Sequence, residues 1–322
     1  MRTWFKTLIL SVLMLTLLAA CGSEDSGGSS DSTIVIGTAG SAGTFYAVGA
    51  GMSQVINNHS ENLTAVSQGT NGATENVRLL NSGSIHVGFG NWDALYFGHT
   101  GQGPFNGEEQ GTMSLMNLYL SGGQMVVRES SDIQSFEDLK GKRINLGPPG
   151  STITDMSMII LREYGIDPED DINPYFLDFG EGGRMLRDGD LDATFYVAGI
   201  PTAGVIDLSS SSKIRMLSLD ENKRESIIDQ YPYYDKLTIP AGTYNGVDYE
   251  VETLQLWTAL MVNEELSEDV AYEIVSTLME NIDKFKDVHN VGADFSLENA
   301  ALSIIPIHPG AEKYYREKGV LD

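Results

Sequence analysis

The sequence predicts an α/β protein of two similar lobes with a hinged cleft between them. Three observations carry that expectation: a motif repeated in the two halves, a glycine-rich loop at matching places in each half, and two apolar strand-like runs where the chain would pass between lobes. The repeat shows within the one chain. Leu80-Asn-Ser-Gly83-Ser-Ile85-His-Val-Gly-Phe89 and Leu186-Arg-Asp-Gly189-Asp-Leu191-Asp-Ala-Thr-Phe195 both read L-x-x-G-x-[IL]-x-x-x-F. The separation of these two motifs nearly equals that of Gly43 and Gly150, the glycines that close or nearly close the two loops.

From the start of the chain, Arg2 and Lys6 precede an apolar run from Leu8 to Leu18 that ends in Leu18-Ala19-Ala20-Cys21. Residues 1–20 read as a signal peptide with a lipobox. The run is shorter than the ~20 residues a membrane helix needs. Cys21, the only cysteine, is expected to be lipidated as the mature N-terminus, and two or three acyl chains would hold it durably at a membrane. Residues 21–32 have no apolar content beyond that cysteine and read as a flexible tether. A lone thiol excludes disulfides and thiolate metal sites.

The first lobe is expected over 33–121. Thr33 to Ile36 reads as a strand, Gly37 to Gly43 as a loop, and Thr44 to Asn57 as a helix. The second lobe is expected over 122–253, where Arg143 to Leu146, Gly147 to Thr152 and Ile153 to Tyr164 repeat that order. In each repeated motif a helix ends at a glycine turn ahead of a buried strand. Leu115 to Val127, broken by Gly122-Gly123, is the first candidate crossover and Leu254 to Val262 the return. Residues 254–322 then complete the first lobe and the hinge, with an amphipathic helix at Glu268 to Asn281 and further helix near the end, packed on the outside.

Both glycine loops fall at the carboxyl end of a strand and open a helix, where open α/β sheets bind ligands. Unpaired amides of Gly40 to Phe45 and Gly150 to Thr154 can receive carboxylate oxygens. Ser41, Thr44, Ser151 and Thr152 add hydroxyls. Two such seats facing each other suit a ligand with two carboxylates, or an amino acid with an acidic or amide side chain. Each loop also reads as a simple capped helix start. The net charge of −25 makes nucleic acid a poor partner, and it grows more negative once Arg2 and Lys6 leave with the signal peptide. The acids are dispersed along the chain, as a solubilising surface requires.

In this order, the strings Ile36 to Gly49 (IGTAGSAGTFYAVG), Ser67 to Leu80 (SQGTNGATENVRLL), Ile144 to Thr152 (INLGPPGST), Phe195 to Val205 (FYVAGIPTAGV) and Ile305 to Glu317 (IPIHPGAEKYYRE) resemble the TAXI-type solute receptors of tripartite ATP-independent periplasmic (TRAP) transporters. The resemblance covers nearly all of the mature chain. It implies a type II periplasmic-binding fold, a ligand in the interlobe cleft, and delivery to membrane permease subunits driven by an ion gradient. It also implies a small carboxylate ligand such as glutamate, glutamine or 2-oxoglutarate and an extracytoplasmic location; no cofactor or metal is expected, for want of a motif that would hold one. One departure is Gly90-Asn91-Trp92-Asp93 after the buried strand. Carried over, the ligand contacts are Ser41, Thr44, Phe45 and Tyr46; Gln68, Thr70 and Asn71; Asn91 and Asp93; and from the other lobe Gly150, Ser151, Thr152, Tyr196 and Pro201. Trp92 reads either as a shield over the ligand or as core, and Asp93 as a seat for an ammonium group or as a helix cap. Arg78, Arg184 and Arg187 fall on helix-like, solvated stretches, so backbone amides and hydroxyls are expected to neutralise the carboxylate.

Two other function classes compete. Ala39-Gly40-Ser41-Ala42-Gly43 approximates the nucleophile elbow of a serine hydrolase, with His308 further along. That serine needs a paired base, yet His59, His86 and His99 have no evident acid partner and His308 sits in a structural-looking Ile-Pro-Ile-His-Pro-Gly turn. No histidine spacing suits a metal, and Gly37-x-x-Gly40-x-x-Gly43 has neither the dinucleotide order nor the lysine of a P-loop. No catalytic residues are therefore expected. A ligand sensor with the same lobes but no transport role is the third class.

Overall fold

The computed structural model describes residues 32–41 and 43–322. The signal peptide, Cys21 and the tether as far as residue 31 lie outside the described residues. Ser32, assigned above to the tether, instead begins a strand, because it pairs with Leu63 in a parallel ladder.

The first half alternates strand and helix: β1 (Ser32–Gly37), α1 (Thr44–His59), β2 (Leu63–Gln68), α2 (Ala73–Asn81), β3 (Val87–Asn91) and α3 (Trp92–Thr100). Ile34 and Ile36 of β1 are buried on one face with the period of a strand. Helix α1 covers them with Val48, Met52, Val55 and Ile56, spaced as one helical stripe. Strand β3 is buried at every position, as a central strand covered on both faces must be.

Strand β4 (Thr112–Arg128) leads into the second half: β5 (Arg143–Asn145), α4 (Thr152–Glu163), β6 (Asn173–Tyr175), α5 (Phe179–Asp188), β7 (Ala193–Ala198), α6 (Ala203–Ser211), β8 (Ile214–Leu217), α7 (Glu221–Gln230) and β9 (Asp235–Ile239). Strand β10 (Val251–Asn263) returns, and α8 (Glu268–Glu280), two single-turn helices and α9 (Pro309–Glu317) finish the chain.

The strand order is β2-β1-β3-β10-β4-β7-β5-β6, with β8 against β4 and β9 against β10. The parallel strands cluster at the two ends, and the antiparallel β4 and β10 run through the middle. Strand β4 pairs with β10 from Thr112 to Gly122 and with β7 from Gly122 to Val127. Gly122 and Gly123, expected to break this run, do not: β4 is continuous over 17 residues. They are glycine for lack of space. A Cβ on Gly122 would sit 2.5 Å from Leu237 Cδ2, and one on Gly123 2.7 Å from Met156 Sδ.

The repeated motif has a shared cause. Gly83 and Gly189 both stand at positive φ, 69° and 87°, just past the ends of α2 and α5. That left-handed turn favours glycine and drops the chain into β3 and β7. Each half has its own core. Phe89, Met52, Leu260, Ile274 and Tyr315 belong to the first; Leu146, Met156, Leu161, Phe195 and Leu256 belong to the second. Each fully buried aliphatic or aromatic side chain contributes roughly 1.5–3 kcal/mol. The terminal helices α8 and α9 join the first core through Val275, Leu278, Ala311 and Tyr314.

Candidate functional site

A cavity of about 360 Å³ opens between the halves, at the carboxyl ends of β1, β5 and β7. Its volume lies within the ~300–1,000 Å³ of small-molecule sites. Four helix N-termini reach it. Gly40, Ser41, Gly43, Thr44 and Phe45 come from the start of α1, and Thr70, Asn71, Gly72 and Ala73 from the start of α2. Pro148, Pro149, Ser151, Thr152 and Ile153 come from the start of α4, and Asp178 and Phe179 from the start of α5, with Phe176 beside them. Asn91, Tyr119, Val197 and Ala198 line the remainder.

The four termini are not equivalent. Helix α4 is capped by Ser151, whose Oγ accepts from the Thr154 amide and donates to the Pro148 carbonyl at 2.7 Å. Helix α5 is capped by Asp178, whose Oδ1 accepts from the Glu181 amide at 2.9 Å. In α2 the Thr74 amide donates across the halves to the Gly150 carbonyl at 3.1 Å. Among the described residues neither α1, behind Gly43, nor α2, behind Gly72, has a side-chain cap, but in α2 the Gly72 and Thr74 amides are engaged by Thr70 and Gly150, while α1 has no such partners at its first turn. Its first amides, with the partial positive charge of a helix start, are therefore the most open anion seat in the cavity. Among the described residues the lining holds no lysine, arginine or histidine, and its single carboxylate is Asp178. The inner wall adds a buried phenol: the Tyr119 hydroxyl has no hydrogen-bond partner among the described residues, and burial pushes its pKa upward.

Of the residues expected to contact a ligand, the cavity brings together Ser41, Thr44, Phe45, Thr70, Asn71, Asn91, Ser151 and Thr152. Tyr46, Gln68, Asp93, Gly150, Tyr196 and Pro201 are not in its lining. Tyr46 is exposed on α1. Gln68 serves through its carbonyl, which accepts from the Thr38 amide and hydroxyl, both at 2.8 Å. Gly150 lends its carbonyl to Thr74. Tyr196 alternates to the far face of β7, against Phe179 and the core of Val205 and Leu208. Pro201 is exposed past the end of β7.

Asp93 neither faces the cavity nor caps α3, whose cap is Asn91. It is wholly buried where the halves touch. Oδ1 accepts from the Ala94 amide at 2.7 Å and from the Thr152 hydroxyl of the opposite half at 2.9 Å. Oδ2 has no partner among the described residues. Burial and the neighbouring Asp155 carboxylate push its pKa up to about 7; burial likewise raises Asp155 to about 6, against the hydrogen bond from Thr74. Trp92 packs as core beside Trp257, and its Nε1 donates to Asn117 Oδ1 at 3.1 Å.

None of the expected solvated arginines enters the cavity. Arg78 lies over the Phe105 ring, and Arg184 and Arg187 pair with Glu181 and Asp188 on α5. His308 cannot serve Ser41 as a base. Its Nε2 meets the Leu266 carbonyl at 2.9 Å, while Nδ1 accepts from the Gly310 amide at the start of α9. Sequence reasoning missed Asp178, Phe176 and Phe179. A signal was present: Tyr175 ends a short strand, and Asp178 with Glu181 three residues on spells a helix start, the same strand-to-helix turn that marked the other two loops.

A model of the NMT1-like family matches residues 36–319. Among solved structures, the chain is similar to a putative L-cystine ABC transporter protein from Listeria monocytogenes: 15% identity, TM-score 0.51, covering 82% of this chain and 98% of that one. It is also similar to XAC2383 from Xanthomonas citri. The chloride-bound structure shows 11% identity and a TM-score of 0.51 over 88% of this chain and 95% of that one. The ATP-bound structure shows 13% and 0.50 over 89% and 95%. At these identities the likeness concerns the fold, and the two-lobed α/β architecture expected from the sequence is the one observed.

Proposed function

We propose, from the premise that this chain belongs to the NMT1-like family, that it is an extracytoplasmic receptor that captures a small carboxylate-bearing solute between its lobes and passes it to membrane permease subunits. The observation that carries this reading is the cavity itself: both halves contribute its walls, and the start of α1, with no side-chain cap among the described residues, lines it. Closure of the two halves on a ligand is the hinge motion such an arrangement allows. The similarity in fold to a protein described as a putative L-cystine transporter is consistent with this reading.

Within that reading, the strings quoted above favour the TAXI type and a TRAP permease, and Cys21 a lipid anchor that keeps the receptor at the outer face of the membrane. The lobes are assigned to 33–121 and 122–253, with 254–322 completing the first lobe and the hinge. Ser41, Thr44, Phe45, Thr70, Asn71, Asn91, Ser151 and Thr152 are the ligand contacts.

Calorimetry of the mature protein against glutamate, glutamine and C4 to C6 mono- and dicarboxylates tests the receptor. The expected result is a dissociation constant of about 1 μM or tighter, some 8 kcal/mol of binding free energy. No heat with any of them overturns it. Uptake of the bound solute by a strain lacking the gene separates transport from sensing: unchanged accumulation removes the transport role.

A further inference from the structure

The cavity's charge pattern narrows what it can hold, an inference that rests on its being the solute site. We infer that the ligand is a zwitterion with one carboxylate and one protonated amine, with Asp178 receiving the amine and the start of α1 the carboxylate, and that a second carboxylate is selected against.

The two polar ends differ in kind. On the side of the first half, α1 begins without a side-chain cap beside the hydroxyls of Ser41 and Thr44. That supplies donors and partial positive charge for one anion. The matching start of α4 is less available. Its Ser151 hydroxyl is spent on Pro148 and Thr154, and its Thr152 hydroxyl on Asp93. Of the pair of anion seats read from the sequence, the start of α1 is thus the more open, because its hydroxyls are not engaged among the described residues.

The second half offers a carboxylate instead. Asp178 lines the cavity, and among the described residues only its Oδ1 is engaged, by the Glu181 amide. Oδ2 is left as an acceptor at the exposed rim of the cavity, where Phe176 and Phe179 also line it. An ammonium group is attracted by both the carboxylate and ring faces. A dicarboxylate would bring its second anion into a lining whose one charged side chain is Asp178, with no cationic side chain among the described residues to compensate. Charge repulsion and lost hydration both oppose that.

Asp178→Asn tests the assignment without removing the helix cap, because asparagine caps about as well as aspartate. Melting temperature checks that the variant is folded, and Asp178→Ser is a second variant that keeps the cap. Calorimetry uses probes differing in one group: L-glutamine against its desamino counterpart glutaramate, L-leucine against 4-methylpentanoate, and L-glutamine against L-glutamate. For the wild type, the amine-bearing member of at least one pair binds about tenfold or more tighter than its desamino counterpart, and glutamine binds tighter than glutamate. Asp178→Asn weakens the amino acid by about ten- to a hundredfold, the range of a charge-assisted hydrogen bond, and leaves the desamino compound unchanged. Three results overturn the inference while leaving the receptor standing. They are tight wild-type binding of 2-oxoglutarate or glutarate, equal binding with and without the amine, and an Asp178→Asn variant that binds the amino acid like wild type. If no carboxylate solute binds the wild type, the receptor reading falls and this inference falls with it.

Discussion

Replacing Asp93 by asparagine should remove the pH dependence that this one carboxyl imposes on stability. In the unfolded chain the group ionises near pH 3.9; in the folded protein, burial and Asp155 push its pKa up to about 7. Between about pH 4 and pH 7 the folded protein therefore holds a proton that the unfolded chain has released. Stability falls as pH rises through that window and levels off above it. The full drop is on the order of 4 kcal/mol, from about 1.4 kcal/mol for each pH unit between the two values. Asparagine never ionises, and its Oδ1 can still accept from the Ala94 amide and the Thr152 hydroxyl, which now meet Asp93 Oδ1. Its amide nitrogen would stand where Oδ2 has no partner, a penalty of about 1–3 kcal/mol. The variant should be less stable than wild type by about that penalty at pH 4, and as stable or more so at pH 8. Urea denaturation of both proteins at intervals from pH 4 to 8 reads the difference, in which titrating groups distant from Asp93 cancel and only the neighbouring Asp155 stays coupled to it. A difference that stays flat across the window refutes the reasoning.

Three further outcomes follow from other parts of the fold. Gly43→Asp should abolish binding of carboxylate solutes while leaving the melting temperature unchanged or higher. The N-cap of α1 is extended, at φ −97° and ψ 157°, and an aspartate Cβ there would lie 3.3 Å from the Gly40 carbonyl oxygen, so a shift of a few tenths of an ångström lets it cap the helix by about 1 kcal/mol and occupy the anion seat; calorimetry that finds undiminished binding would falsify that placement. Gly310→Ala should cost about 1–3 kcal/mol in urea denaturation, because its Cβ would lie 2.1 Å from the Glu268 carbonyl oxygen, which is backbone and cannot turn aside. Asp192→Asn should lose about 1 kcal/mol near neutral pH, since Asp192 accepts from the Arg143 amide at 2.9 Å and its guanidinium at 2.8 and 3.1 Å. Arg143 holds the Asp192 pKa below the ordinary carboxylate value. The contribution is thus present above the unfolded pKa and fades as pH falls through the folded one. A variant with the wild-type acid limb contradicts that.

Much of the architecture was written in local chemistry. Alternation of two residues placed Ile34 and Ile36 on the inner face of β1, and helical spacing placed Val48, Met52 and Ile56 above them. The paired glycines, Gly83 and Gly189, announced two equivalent halves because a left-handed turn after a helix has few other occupants. The same short-range rules located two of the cavity's helix starts, at Gly43 and Ser151, since a strand followed by a glycine-rich turn and a helix is a local pattern.

Tertiary structure decided which of those groups face the ligand space and which hold the halves together. Asp93 and Thr152 looked equally available in the sequence, yet they bond to each other across the interface, so the carboxyl is buried and the hydroxyl is committed. Gly122 and Gly123 read as a break and instead make room for Leu237, Ile200 and Met156, which come from elsewhere in the chain. Asp178 drew no notice in the sequence, and only the fold brings it into the lining of the same cavity as the start of α1. A sequence fixes torsions and periodicities over a few residues; charge complementarity across a cavity depends on distances between segments more than a hundred residues apart, and only packing sets those.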